Sequence, residues 1–173
     1  ATGVEPDRHG ILDFMVRDPR TGEEQPVTSV QRRTPAVWDM LSEAGVPVGV
    51  VGWWGTWPAD AVRGYLVSDR LAYQLFGYRA DLADARGKTW PADLYAALRP
   101  KIVAPAAVPW QQVVPYLGGE RRQIEQFSAE ERQLLEEFRT VLASSRTYLD
   151  AALECRGCLP AGPEMVSIVR REK

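Results

Sequence analysis

The most unusual local feature of the sequence is a group of three tryptophans, Trp53, Trp54 and Trp57, at the end of an apolar run. Tryptophan offers a large, rigid surface that can wall a pocket or stack on a base or sugar. Open α/β sheets bind ligands at the edge where their parallel strands end. Two readings stay open: at least one tryptophan lines a pocket, or Trp53 and Trp54 fill core on opposite sides of a strand.

Other reactive side chains are few. His9 is the only histidine, which excludes a zinc site with two or three histidine ligands. It either touches a substrate or is hydrogen-bonded to backbone in a turn. Cys155 and Cys158 form a single CxxC, a weak metal signal without the strand-to-helix context of a redox motif, so we expect a loop there. Isolated loop acids with no partner at a fixed spacing are expected to be solvated or to cap backbone: Asp13, Asp18, Asp60 and Asp69.

Composition excludes several classes of protein. The 173 residues, 45% of them hydrophobic, suffice for one domain with a buried core. A net charge of −2 disfavours a basic nucleic-acid-binding domain, and we predict no nucleic-acid partner. The longest apolar run, 46–54, is far shorter than the roughly 20 residues of a membrane span, so we predict no membrane segment. The sequence contains neither a GxGxxG nor a P-loop pattern.

A helix followed by a buried strand gives the fold class. Thr34 as N-cap and Pro35 as first residue predict a helix start, and Gly45 predicts its end. The β-branched run 46–54 that follows predicts a strand buried on both faces of a parallel sheet. A second short strand is predicted over 64–68. We therefore expect an α/β protein with a parallel-rich sheet flanked by helices.

The second half of the chain is predicted to be mainly helical. Ser128 and Glu131 form a capping box that opens a long amphipathic helix over 128–154. Its predicted apolar face is Leu134, Phe138, Val141, Leu142, Tyr148 and Leu149. The expected organisation is a single partial domain with a core segment 1–76, an irregular insertion with short helices 77–127, the long helix 128–154 and a terminal strand 163–170.

Several stretches together resemble a known family. Ala1-Thr2-Gly3, Pro6 and His9-Gly10-Ile11 resemble the "ATG…P…HGI" stretch of the type I phosphodiesterase/nucleotide pyrophosphatase family, which belongs to the alkaline phosphatase superfamily. The stretch 33–38 resembles the next block of the family, and 52–58 and 67–70 are similar to a bacterial branch of it. The resemblance is specific over 1–76 and looser up to the long helix.

The resemblance implies a metal-dependent hydrolase, but only part of one. It implies an alkaline-phosphatase-like fold with two zinc ions at the strand ends and a Thr or Ser nucleophile. In that family the nucleophile and the first metal-binding Asp precede the "ATG" stretch. The remaining Asp and His ligands follow a strand that 163–170 resembles. We therefore expect a segment that lacks the nucleophile and the zinc ligands, is inactive alone, and contributes sheet and the substrate-side wall.

The resemblance also implies which residues meet a small phosphoester substrate. The family's aromatic pair at the end of its second strand borders the substrate pocket, which supports Trp53, Trp54 and Trp57 as substrate-binding residues. His9 shapes a turn, and Asp13 lies near the position of an Asn that holds a phosphoryl oxygen in related phosphodiesterases. The alternative is a non-catalytic binding module that keeps these loops. A sulfatase or phosphomutase is disfavoured because the Cys/Ser-x-Pro-x-Arg motif is missing.

Overall fold

A computed structural model describes residues 1–72, 81–117 and 127–158. In the described residues, the helices are α1 (Pro6–His9), α2 (Val37–Glu43), α3 (Leu94–Leu98), α4 (Trp110–Val113) and α5 (Ala129–Glu154). The strands are β1 (Met15–Arg17), β2 (Glu24–Pro26), β3 (Val48–Val51), β4 (Gly64–Val67) and β5 (Thr89–Trp90).

The strands form two small sheets. β1 and β2 pair as an antiparallel hairpin. The other sheet has the order β3-β4-β5, in which β3 and β4 are parallel and β5 is antiparallel to β4. The predicted α/β class with a parallel strand pair is confirmed. β3 is shorter than the predicted run 46–54 because Gly52, with φ of +65°, turns the chain out of the sheet.

The prediction that the first strand is buried on both faces is wrong, and the second strand takes that place. In β3 only Val48 is buried, while Gly49 is exposed. Leu66 of β4 faces one apolar cluster, and Tyr65 and Val67 face another. The first cluster contains Ala36, Trp38, Val48 and Val62. The second contains Leu71, Tyr95, Leu98, Ala151 and Cys155.

The start of α2 also differs from the prediction. The helix begins at Val37 with Ala36 as its N-cap, and Asp39 Oδ2 accepts the Ala36 N–H at 2.7 Å. The Thr34 hydroxyl makes no hydrogen bond within the described part of the chain, so Thr34 does not cap this helix. Gly45 follows the helix with φ of +79°, as predicted.

The capping box of the long helix is confirmed, and its packing face is the predicted one in part. Ser128 Oγ accepts the Glu131 N–H at 3.2 Å, and Glu131 Oε2 accepts the Ser128 N–H at 2.7 Å. Leu134 and Leu149 are 64% and 52% exposed. Phe138, Leu142 and Tyr148 pack against buried apolar clusters, as predicted. The fully buried side chains of the helix are others: Leu135, Ala143, Thr147 and Ala151.

The proline-rich stretch 100–115 is irregular with short helical turns, as predicted. α5 holds it through side chains. Thr147 Oγ1 accepts the Val103 N–H at 2.9 Å, and Arg139 donates to the Ala106 and Val108 carbonyls at 3.1 Å. The predicted strand 163–170 lies outside the described residues. The division into segments stays a prediction.

Candidate functional site

The candidate site is the loop that leaves β3 at the carboxyl edge of the parallel pair. Gly52 begins this loop, and a Cβ at Gly52 would lie 2.9 Å from Cδ1 of Tyr148 on α5. The Thr56 side chain is fully buried beneath the loop and donates to the Trp53 carbonyl at 2.5 Å. The loop is thus packed against the long helix and closed by an internal hydrogen bond.

A buried carboxylate from the neighbouring strand supports the loop. Asp69 lies two residues beyond the end of β4 and is 5% exposed. Its Oδ2 accepts the Gly55 N–H at 3.0 Å, and its Oδ1 accepts the Thr56 and Trp57 N–H groups at 3.2 and 3.0 Å. Burial raises the pKa of Asp69, outweighing these hydrogen bonds and the nearby Arg70, which lower it. Of the two expected roles for Asp69, solvated or capping backbone, the structure shows the second, because the side chain is buried and accepts three backbone N–H groups.

The three tryptophans of the loop point to different surroundings. Trp53 is 54% exposed and contacts Trp38 edge-on, with ring centroids 5.9 Å apart. Trp54 is half-buried and meets Phe14 at 5.4 Å with the rings perpendicular. The structure therefore brings Trp53 and Trp54 to the surface at the sheet edge, each supported by a second aromatic ring.

Trp57 has different surroundings from Trp53 and Trp54. The Arg70 guanidinium lies 4.0 Å from the centre of its ring, and its Nε1 donates to the Arg86 carbonyl at 3.1 Å. Gly87 packs on Pro58 in the same region, where a Cβ would lie 2.6 Å from Pro58 Cβ. Trp57 is thus held between two segments and is less open to a ligand than Trp53.

His9 and Asp13 make local hydrogen bonds. His9 Nδ1 accepts the Ile11 N–H at 3.2 Å, and its carbonyl accepts the Arg33 N–H at 2.9 Å. Asp13 is exposed, and its Oδ1 accepts the Phe14 N–H at 2.6 Å. His9 thus sits in a backbone-bonded turn, whereas Asp13 sits beside the ring that meets Trp54.

An ion network behind Trp38 was not predicted. Arg32 Nη2 donates to Asp60 Oδ2 at 2.6 Å and to Asp39 Oδ2 at 3.2 Å, and its side chain is 8% exposed. Trp38 Nε1 donates to Asp60 at 3.4 Å, and the guanidinium lies 5.3 Å from the Trp38 ring centre. Arg32, Asp39 and Asp60 line an open polar groove of about 480 Å³. A buried arginine of this kind cannot be recognised from the sequence, because the acids that pair with it are identified only in the fold.

The cysteine pair lies at the end of the long helix, and its two members have different surroundings. Cys155 is buried and Cys158 is exposed, and neither forms a disulfide. Burial, together with the neighbouring Cys158, raises the pKa of Cys155 to about 12. A thiol with such a pKa stays protonated near neutral pH, which disfavours metal or redox chemistry at this site.

The arrangement defines a mixed α/β protein with aromatic side chains at the carboxyl edge of its parallel strand pair. A family model described as type I phosphodiesterase / nucleotide pyrophosphatase matches residues 1–152, and the chain therefore belongs to that family. The family implies an alkaline-phosphatase-like fold. No curated protein and no solved structure matches the chain.

Membership of the family implies a general chemistry, which can be compared with the side chains that the structure describes. The family acts on phosphoester substrates and is generally metal-dependent. Within the described ranges, no group of three His, Cys, Asp or Glu side chains could hold a metal ion. Asp39, Asp60 and Asp69 are instead engaged by Arg32 or by backbone N–H groups. These residues do not fit a two-zinc site.

The part of the chain that the structure describes contains no helix with both the length and the apolar character needed to cross a membrane.

Proposed function

We propose that this chain supplies part of the sheet and the substrate-side wall of a phosphoester hydrolase domain of this family. Trp53 and Trp54 form the wall, and other parts of the domain supply the nucleophile and the metal ligands. One observation carries the proposal: Trp53 stands 54% exposed at the carboxyl edge of the parallel strands, while Trp38 supports it from behind.

The wall contributes binding rather than bond cleavage. A preoriented indole ring stacks on the organic group of a phosphoester, and such contacts are worth about 0.5–1.5 kcal/mol beyond the area they bury. Because Trp53 is already held by Trp38, little side-chain entropy is lost when a ligand binds. We expect the wall to hold the organic group of the substrate, next to the reacting phosphorus, in one orientation.

Asp13 and His9 take secondary roles in this proposal. Asp13 is exposed beside Phe14, and its negative charge disfavours contact with phosphoryl oxygens. We assign it to a hydroxyl of the substrate's organic group. His9 holds the turn that precedes Asp13, through its hydrogen bond with the Ile11 N–H. Trp57 holds the loop through its contacts with Arg70 and Arg86.

The test is a titration of the full chain with bis(4-nitrophenyl) phosphate, in which binding is measured through the NMR signals of the tryptophan indole N–H groups. The signals of Trp53 and Trp54 should shift saturably, whereas that of Trp110, packed beside Arg139, should not. With zinc added, the chain alone should release no nitrophenol. Zinc-dependent turnover by the chain alone would overturn the proposal that other parts of the domain supply the nucleophile and the metal ligands.

A non-catalytic binding module is the second candidate. It is favoured by β4, whose two faces are already covered by separate apolar clusters of the described residues. A monomer with one sharp, reversible melting transition supports this candidate. Aggregation or a broad transition supports a segment that needs the rest of a larger domain, because the exposed edge at Gly49 of β3 would then lack its cover.

A further inference from the structure

The Asp69 carboxylate occupies a cradle made by three consecutive backbone N–H groups. Gly55, Thr56 and Trp57 all donate to it, at 3.0, 3.2 and 3.0 Å. Successive N–H groups that converge in this way form an anion-binding concavity. Here the anion comes from the protein itself, from the segment just beyond β4, the strand next to the one that the loop leaves.

A second link runs in the opposite direction. The Asp69 N–H donates to Thr56 Oγ1 at 3.1 Å, and this hydroxyl donates to the Trp53 carbonyl at 2.5 Å. Thr56 is fully buried, and Asp69 is 5% exposed. The two side chains therefore fix the loop from Trp53 to Trp57 at both of its ends, without reaching the surface themselves.

We propose that Asp69 is the positioning residue of the substrate wall, acting through the loop that carries Trp53 and Trp54. The assignment rests on the proposed function, because the wall must bind substrate for its orientation to matter. Asp69 does not touch the substrate, since its carboxylate is enclosed by the backbone of the loop. Arg70 adds to the same effect by stacking on Trp57 at 4.0 Å.

The cradle makes a chemical prediction that a general packing role does not. Removing the carboxylate as Asp69→Ala leaves three converging N–H groups with no acceptor and a space the size of a small carboxylate. Formate carries the same two oxygens and should fill that space. Formate should therefore restore the loop in Asp69→Ala and leave the wild-type chain unchanged, because its cradle is already occupied.

The experiment compares the wild-type chain with Asp69→Ala, Asp69→Asn and the control Asp150→Asn, which removes an exposed ion pair on α5. In Asp69→Ala the indole N–H signals of Trp53, Trp54 and Trp57 should shift and broaden. The affinity for bis(4-nitrophenyl) phosphate should fall about tenfold, the equivalent of one lost hydrogen-bonded charge. Formate should reverse both changes. Asp150→Asn should behave as wild type.

The outcomes separate the two proposals. If the wild-type chain binds no phosphodiester, the proposed function fails, but the indole signals and their recovery with formate still test the positioning role. If folded Asp69→Ala keeps wild-type indole signals and affinity, or formate recovers nothing, the positioning role is overturned. Should Asp69→Ala not fold, Asp69→Asn decides, because it keeps the size and one acceptor but loses the charge: unchanged signals and affinity in Asp69→Asn would also overturn the proposal.

Discussion

The Tyr148 hydroxyl donates a 2.5 Å hydrogen bond to the backbone carbonyl of Asp69, joining residues 79 positions apart in the chain. The same oxygen accepts the Ala72 N–H at 3.3 Å. The Tyr148 ring lies against Gly52, the first residue of the loop that carries Trp53, Trp54 and Trp57, here called the tryptophan loop. The long helix therefore fixes both the start of the loop and the residue that holds its end.

A substitution at Gly52 tests this packing. In Gly52→Ala, the Cβ would lie 2.9 Å from Tyr148 Cδ1 at a backbone φ of +65°. We expect a loss of about 2–4 kcal/mol in the free energy of unfolding, from backbone strain and from overpacking. Gly45→Ala is the matched control, because Gly45 has φ of +79° with nothing within 4 Å. Equal losses in urea denaturation of the two variants would show that the ring contact contributes nothing.

The Arg32 network predicts an unequal effect of two arginine substitutions. Arg32→Gln leaves Asp39 and Asp60 facing each other without a cation, in a site where their side chains are only 20% and 29% exposed. We expect a loss of about 2 kcal/mol, below the range for fully buried pairs because water still screens the acids. Arg146→Gln breaks an exposed pair with Asp150 and should cost about 0.5 kcal/mol or less. Equal losses in the free energy of unfolding for Arg32→Gln and Arg146→Gln, measured by urea denaturation, would contradict this prediction.

Burial of Asp69 predicts the direction of a pH effect. Its pKa in the folded chain is raised above 3.8, so the folded state holds the proton more tightly than the unfolded state. The resulting stabilisation is full below the unfolded pKa and is lost as the pH rises through the folded pKa. The free energy of unfolding of wild type relative to Asp69→Asn should therefore fall as the pH rises from about 4. A relative stability that rises with pH would mean that the three N–H donors outweigh burial.

The two cysteines should differ in reactivity. Cys158 is exposed, whereas Cys155 is buried with a pKa of about 12. A thiol reagent at pH 8 should label Cys158 in the folded chain and both cysteines only after unfolding. Cys158→Ser should abolish labelling of the folded chain, and Cys155→Ser should not. Rapid labelling of Cys155 in the folded chain would contradict its placement in the core.

Local signals in the sequence predicted local structure well. The Ser128 capping box, the turn at Gly45 and the two parallel strands depend on residues a few positions apart, and all three are present. The face of α5 was predicted only in part, because Phe138, Leu142 and Tyr148 pack against buried clusters whereas Leu134 and Leu149 are exposed. The fully buried positions include small residues such as Ala143 and Thr147, and which positions are buried is decided by what lies opposite.

The site itself was only partly predictable. The tryptophan loop was placed at the strand edge from composition and fold class. The role of Asp69 was not found, because its three donors lie 12–14 residues earlier and meet it only once β3 and β4 pair. A usable signal existed: an acid shortly after one parallel strand lies beside the loop that leaves its neighbour.

The most direct test of the central claim is the titration of the chain with bis(4-nitrophenyl) phosphate, comparing wild type with Trp53→Ala. If Trp53 is the open face of a substrate wall, the wild-type indole signals of Trp53 and Trp54 shift saturably. Trp53→Ala should then weaken binding by about 1–3 kcal/mol, as for other stacked aromatic contacts. Trp110→Ala should leave the affinity unchanged. Equal affinity of wild type and Trp53→Ala, or no saturable binding at all, would contradict the account.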